Sequence, residues 1–272
     1  MAELWPAWFV PLVAGLLGLI LGSFLNVLAV RWPQDRSVVT PRSACPRCDT
    51  PIAWYDNVPV LSWIVLRGRC RTCGERISLQ YPLVELTTGL VWAGLFAYHG
   101  LGFEALRGSV FLTLLFGISL SDARFYIIPD EFSLGGMGLG VLFSLLPGVL
   151  LGWRDALLGL ALGYCAMWAV AIGGTWMIRV MRPGRLEEAG VDSALGGGDV
   201  KMMGAVGAFL GPWGMATTVF FGSLFALLVF GPIAYLTKRL VPLGIFLAAG
   251  AALSYGWGDA ILEWYRGEIL GF

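Results

Sequence analysis

Two aspartates, Asp122 and Asp199, stand at the mouths of apolar, helix-length segments, the second announced by Gly196-Gly197-Gly198. A carboxylate beside hydrocarbon costs roughly 2.5–3.5 kcal/mol on insertion scales, so two of them in a chain this poor in charge ask for a reason. Two carboxylates within hydrogen-bonding reach share one proton and titrate as a pair. The ionised partner can take a proton from water while the protonated one polarises a peptide carbonyl, which is the chemistry of peptide hydrolysis. The structural alternative is that Asp199 caps its helix and Asp122 pairs with Arg124 or Lys201. Asp130, which follows Pro129, also reads as a helix cap, and Glu187 and Glu188 as a solvated charged patch. His99 is the only histidine and falls in a loop expected outside, so no nucleophilic triad competes.

A second cluster lies in the one long polar stretch, residues 31–79. Cys45-Pro-Arg-Cys48 and Cys70-Arg-Thr-Cys73 are two C-x-x-C knuckles separated by 21 residues, the ligand spacing of a four-thiolate zinc site. Such a site is structural, because four thiolates leave no open position on the ion. Disulfides or a redox dithiol are the competing readings, and a cytoplasmic location argues against stable disulfides. Cys165 stands alone in an apolar segment and reads as a small buried hydrophobe.

The elements that must position these residues are membrane helices. The chain has 272 residues, 57% hydrophobic and 13% charged, with Lys+Arg 18 against Asp+Glu 18. That composition excludes an ordinary soluble domain, and the balance gives no sign of a nucleic-acid partner. At about 20 apolar residues per crossing, the expected spans are 8–30, 82–98, 107–121, 131–150, 156–178, 200–213, 215–236 and 241–257. The expectation is an all-α polytopic membrane protein of about eight helices. Gly211-Pro212-Trp213-Gly214 is the only break between the sixth and seventh spans and reads as a tight hairpin. With both termini outside, all the lysines and arginines except Arg107, Arg154 and Arg266 fall on inner loops and span ends, including Lys238 and Arg239. Asp122 and Asp199 are then both cytoplasmic. The first span lacks a basic leader region and is followed by Arg31, so it reads as a retained helix. Gly18-x-x-x-Gly22, Gly159-x-x-x-Gly163 and Gly207-x-x-x-Gly211 read as close-packing stripes.

The ordered segments Gly22-Ser-Phe-Leu-Asn26-Val, Tyr55-Asp-Asn-Val-Pro-Val-Leu-Ser-Trp63, Leu66-Arg-Gly-Arg-Cys70, Ile77-Ser-Leu-Gln-Tyr-Pro-Leu-Val-Glu85, the Asp122 to Asp130 stretch and Gly198-Asp199-Val-Lys201 resemble the bacterial type IV prepilin peptidases. The resemblance runs from about residue 18 to about residue 250. It implies a GxGD-type membrane aspartic endopeptidase of the bacterial inner membrane. Such an enzyme removes the basic leader of type IV prepilins or type II secretion pseudopilins on the cytoplasmic side, after a glycine. In many members it then methylates the new amino terminus with S-adenosylmethionine. Carried over by position, Asp122 and Asp199 are the catalytic acids and Cys45, Cys48, Cys70 and Cys73 the metal ligands. Ser121, where the family often has an apolar residue, and an expanded stretch Val191-Asp192-Ser193 are departures.

The expected organisation is a first helix (1–30), a tetracysteine loop (31–79), a peptidase core (80–258) and a C-terminal tail (259–272). Expected cofactors are structural Zn2+ on the four thiolates, no metal at the aspartates, and S-adenosylmethionine by resemblance alone, since no G-x-G-x-x-G or βαβ pattern supplies a site. Expected partners are pilin precursors, each with a basic leader and an apolar helix, and membrane lipid. Two other classes remain open: a proton-coupled transporter with intramembrane acids, and a non-catalytic zinc-stabilised assembly factor.

Overall fold

The computed structural model describes residues 5–188, 190–231 and 242–270. Lys238 and Arg239, the end of the span expected at 215–236, and Val241 lie outside the described residues. The regular elements are helices: α1 (Phe9–Arg31), α2 (Leu61–Val65), α3 (Gln80–His99), α4 (Phe103–Phe125), α5 (Asp130–Ser144), α6 (Trp153–Met181), α7 (Arg185–Glu188), α8 (Gly197–Phe225) and α9 (Leu243–Trp264). The only β pairing among the described residues is two isolated antiparallel bridges, Ala44 with Pro51 and Arg69 with Arg76. Four helical segments are long and apolar enough to cross a membrane, Phe9–Gln34, Phe103–Phe125, Trp153–Met181 and Gly197–Phe230. A fifth forms if Leu243–Gly258 and Ala260–Glu268, bent by 65° from one another, are taken together. The chain is thus an all-helical membrane protein.

Two compact units divide within α4, Met1–Thr113 and Leu114–Phe272. In the first, α1 and α3 pack through the glycine stripe of α1. A Cβ on Gly18 would lie 2.8 Å from the Thr88 carbonyl oxygen, and one on Gly22 would lie 2.8 Å from Glu85 Cα. Backbones this close trade side-chain volume for dispersion contact, the means by which helices associate where water is absent. Buried Asn26 donates to the Gly22 and Tyr81 carbonyls at 3.2 and 3.3 Å, so its amide is satisfied in an apolar setting. Leu12, Leu16, Leu17 and Ile20 of α1 are exposed, an apolar face suited to lipid.

In the second unit α8 is bent back on itself. Gly211 has φ 70° and ψ −174°, which no residue inside a helix adopts, and Pro212 follows it. Met203 and Met215 both reach Gly163, whereas twelve residues of unbroken helix would separate them by about 18 Å. The expected hairpin is therefore present, as two arms packed on α6. Thr217 in the second arm donates to or accepts from Ser254 of α9 at 2.9 Å, and Gly250 of α9 packs on the Thr218 carbonyl. α5 lies along the first arm through Gly140 and Ala208. It ends at Ser144, short of residue 150 where the sequence placed the end of its span, because Pro147 disfavours helical backbone at Leu146.

The closest approach is between Gly159 of α6 and Gly207 of α8, each of whose Cβ positions collides with the other's carbonyl. Gly207→Val forces a branched side chain against backbone that cannot rotate away. We expect a loss of about 1–3 kcal/mol or more, read as a lower melting temperature of the detergent-solubilised chain. An unchanged melting temperature would contradict this packing.

Candidate active site

Helix α4 ends because Tyr126 takes a left-handed φ of 55°, its N–H closing on the Asp122 carbonyl at 3.0 Å. Pro129, extended at φ −60° and ψ 142°, then opens α5. This sharp turn leaves Asp122 in the last turn of α4, only 6% exposed. Its Oδ2 accepts the Ile245 N–H at 3.1 Å in the first turn of α9, one of the donors that a helix start leaves without an internal partner. Gly244 leaves room for that carboxylate, since a Cβ there would sit 2.9 Å from Asp122 Oδ2.

Asp199 is the third residue of α8 and is half-buried. The N-cap is Gly196, and the Asp199 carboxylate reaches back to its backbone N–H, so this acid does cap its own helix as the structural alternative expected. A glycine beside each aspartate approaches one side chain, Ile128. The Cβ position of Gly198 is 2.9 Å from Ile128 Cβ, while that of Gly244, next to Asp122, is 2.9 Å from Ile128 Cδ1. The two carboxylates are near enough to repel one another. Their meeting depends on three helix ends, the finish of α4 and the starts of α8 and α9, converging on the short Ile127-Ile128-Pro129 connection.

The cations proposed as structural partners of Asp122 go elsewhere. Lys201 Nζ contacts Asp130 at 2.6 and 2.8 Å, and Arg124 lies over the Phe125 ring. Asp130 makes no cap hydrogen bond at the start of α5; its carboxylate instead holds α5 to the second turn of α8. Sequence reasoning missed this pair, along with Ile128, Gly244 and Ile245. Pro242-Leu-Gly244 was a readable helix-start signal for the last two. Glu187 and Glu188 are exposed in α7, with Glu187 lining a small cleft with Arg179, Arg182 and Asp192.

In the first unit the four cysteines form a cluster whose ligand atoms all lie within 4.8 Å of one another. The Cys45 and Cys73 sulfurs are 3.7 Å apart, and a tetrahedron with Zn–S of about 2.3 Å has edges of about 3.8 Å. The knuckles are superimposable in their bonding. Cys45 N–H donates to the Thr50 carbonyl and Cys70 N–H to that of Glu75. Asp49 and Gly74, each four residues past the first cysteine, are both left-handed. The bridges Ala44–Pro51 and Arg69–Arg76 close both loops at the same offsets. An Arg47–Glu75 ion pair joins one knuckle to the other. Hydrogen bonds from Thr50 hold the Cys48 thiol down to about 6. A backbone hydrogen bond from Glu75 favours ionised Cys73, but desolvation together with the three neighbouring sulfurs outweighs it and pushes this exposed thiol up to about 12. Four crowded sulfurs cannot all ionise unaided, and a divalent cation removes that conflict. Cys165 is exposed on α6, not buried as its apolar surroundings suggested; lipid-facing helix surface is apolar too.

Comparison with known proteins places both units in one family. Residues 16–99 match the bacterial peptidase A24 N-terminal domain and residues 109–231 the type IV leader peptidase family. A prepilin leader peptidase/N-methyltransferase from Myxococcus xanthus is 39% identical over 208 residues, covering 75% of this chain and 58% of that protein. The protein of the same name from Bacillus subtilis is 33% identical over 262 residues, 93% of this chain and 97% of its own length. That from Pectobacterium carotovorum is 36% identical over 252 residues, 84% of each. No solved structure matches the chain.

Proposed function

We propose that this chain, which belongs to the type IV leader peptidase family, is a membrane aspartic endopeptidase acting on type IV prepilins or type II secretion pseudopilins. It cuts the leader on the cytoplasmic side, after a glycine, and then methylates the new amino terminus. The observation that supports the reading is that Gly244, beside Asp122, and Gly198, beside Asp199, both approach Ile128. The proposed topology has eight crossings, with the two arms of α8 counted separately, in the bacterial inner membrane with both termini outside.

The acid pair holds a single proton. Its ionised carboxylate takes a proton from water as that oxygen attacks the scissile carbonyl carbon, and the protonated carboxyl gives its proton to the carbonyl oxygen. Collapse of the tetrahedral intermediate breaks the C–N bond as one carboxyl protonates the leaving amine and the other takes a proton back from a gem-diol hydroxyl, so the pair again holds one proton. The Ile245 N–H donates to Asp122 Oδ2 and so fixes that carboxyl, which sets the geometry of attack before substrate arrives. The pilin's apolar helix docks laterally among the membrane helices while its basic leader stays at the surface. Depth in the bilayer then brings the scissile bond to the acids.

Zinc on Cys45, Cys48, Cys70 and Cys73 is structural in this reading. The methyl-transfer half rests on the relatives' names. S-adenosylmethionine carries a sulfonium cation, and the groove of about 570 Å3 beside the zinc knuckles is lined by three arginines and no acid. That lining does not fit the cofactor, and we assign no residue to methyl transfer.

The test is to incubate the purified full chain with a synthetic prepilin amino-terminal segment, leader included, and to weigh the products. Release of the leader at the glycine, with an added methyl group when S-adenosylmethionine is supplied, is expected. An intact peptide under conditions where the chain is folded would remove the proposal.

A further inference from the structure

The arginine groove is built rather than incidental. Its floor is the Trp63 indole, held by a hydrogen bond from Nε1 to the Ile77 carbonyl at 3.2 Å. Gly68 lies flat on that ring, since a Cβ there would meet Trp63 Cζ2 at 2.8 Å. The Ile77 N–H donates to the Gly68 carbonyl at 2.7 Å, so both edges of the floor are tied together. Arg67 and Arg69 flank Gly68, and Arg76 precedes Ile77; all three line the groove with Ser78 and Leu79. Arg67 holds a left-handed φ of 53°, an uncommon conformation for a residue with a side chain.

Charge pairing sets these three apart from their neighbours. Arg47 is paired with Glu75, and Arg71 with Asp56, whose carboxyl it holds below the usual range by hydrogen bonding. Among the described residues, no carboxylate lies in ion-pair contact with Arg67, Arg69 or Arg76; Glu75 feels the charge of Arg76 but is bonded to Arg47. Three guanidiniums around one rigid floor form a site for an anion with several oxygens, and phosphate suits their forked donors best.

The surroundings say which phosphate. On α2, Leu61, Ile64 and Val65 share one face by their three- and four-residue spacing and are 58%, 60% and 66% exposed. Leu79, at the groove's end where α3 begins, is exposed as well. An apolar helix face beside basic side chains is the pattern of a membrane interface, where acyl chains cover the first and headgroups meet the second.

We propose that the Arg67–Arg69–Arg76 groove binds the phosphodiester headgroup of an anionic phospholipid, with α2 resting on its acyl chains. The site is independent of the peptidase reading and of the acid pair.

Native mass spectrometry of the full chain, released from detergent with added phosphatidylglycerol or phosphatidylcholine, tests this. The wild-type chain should retain phosphatidylglycerol selectively. R67Q/R69Q/R76Q should weaken retention about tenfold, and an R36Q/R42Q control, which changes arginines of the same loop outside the groove, should stay within about twofold of wild type. Ser78→Asp keeps an acceptor for the Gln80 N–H while placing a carboxylate in the groove, and should weaken retention without removing an arginine. Zinc retained in the same spectra reports that the loop is folded. If the glutamine variant loses zinc, Ser78→Asp decides. Equal retention of the two lipids, or undiminished retention in the variant so chosen, would overturn the proposal. So would displacement of the lipid by millimolar inorganic phosphate, which would make the groove a free-phosphate site.

Discussion

Asp122→Asn and Asp199→Asn are each expected to abolish leader cleavage while leaving the chain folded in the membrane. Asparagine has the volume of aspartate and keeps an acceptor oxygen, so the Ile245 N–H retains its partner and Ile128 its neighbours. What disappears is the shared proton. One positioned acid or base contributes about 10²–10⁴-fold, and here each carboxyl works only through the other. The double variant should fall no further than either single one, because residues acting as a unit are strongly non-additive. Thermal stability supplies a control. Each substitution conserves volume and leaves one ionisable group fewer in apolar surroundings, so the melting temperature should hold or rise. Leader release measured by mass in both single variants, at wild-type rates, would end the aspartic reading.

Cys48→Ser and Cys73→Ser should each release zinc and unfold the loop around it. In residues 31–79 the only buried apolar side chain is Cys45, itself a ligand. Burial therefore cannot hold this segment, whereas structural zinc in small peptides contributes an apparent 10–16 kcal/mol or so at neutral pH. The measurements are zinc per chain and limited proteolysis, with new cuts expected between the knuckles. A zinc-free serine variant with wild-type protease resistance would show that the ion is not what orders the loop.

The parts of this architecture that are local in sequence were legible in it. The knuckles were readable because each C-x-x-C supplies two ligands within one turn, and even the left-handed positions carry tolerant residues, Asp49 and Gly74. The reversal at Gly211-Pro212 was readable because only glycine reaches that backbone conformation without strain. The contacts that complete the acid site were not. Lys201 and Asp130 are 71 residues apart, and Asp122 and Ile245 are 123 apart. No periodicity encodes such partners; they exist only once the helix ends have converged. Asp130 shows the hazard directly. Its place after a proline suggested a cap, but a distant ammonium outcompeted the local backbone.

Helix length carries one more consequence. α5 has 15 residues and the first arm of α8 about as many, so each is about 22 Å long. Undisturbed hydrocarbon is about 30 Å thick. In the proposed topology the first arm of α8 is enclosed by its neighbours while α5 exposes Leu134 and Leu142 to lipid, so the tails beside α5 contract and open a dimple in the bilayer whose floor is the Asp130 end of α5. A pilin helix matched to normal thickness and entering that dimple overshoots it, so its leading peptide bond is lifted into water at the very place where hydrolysis requires it.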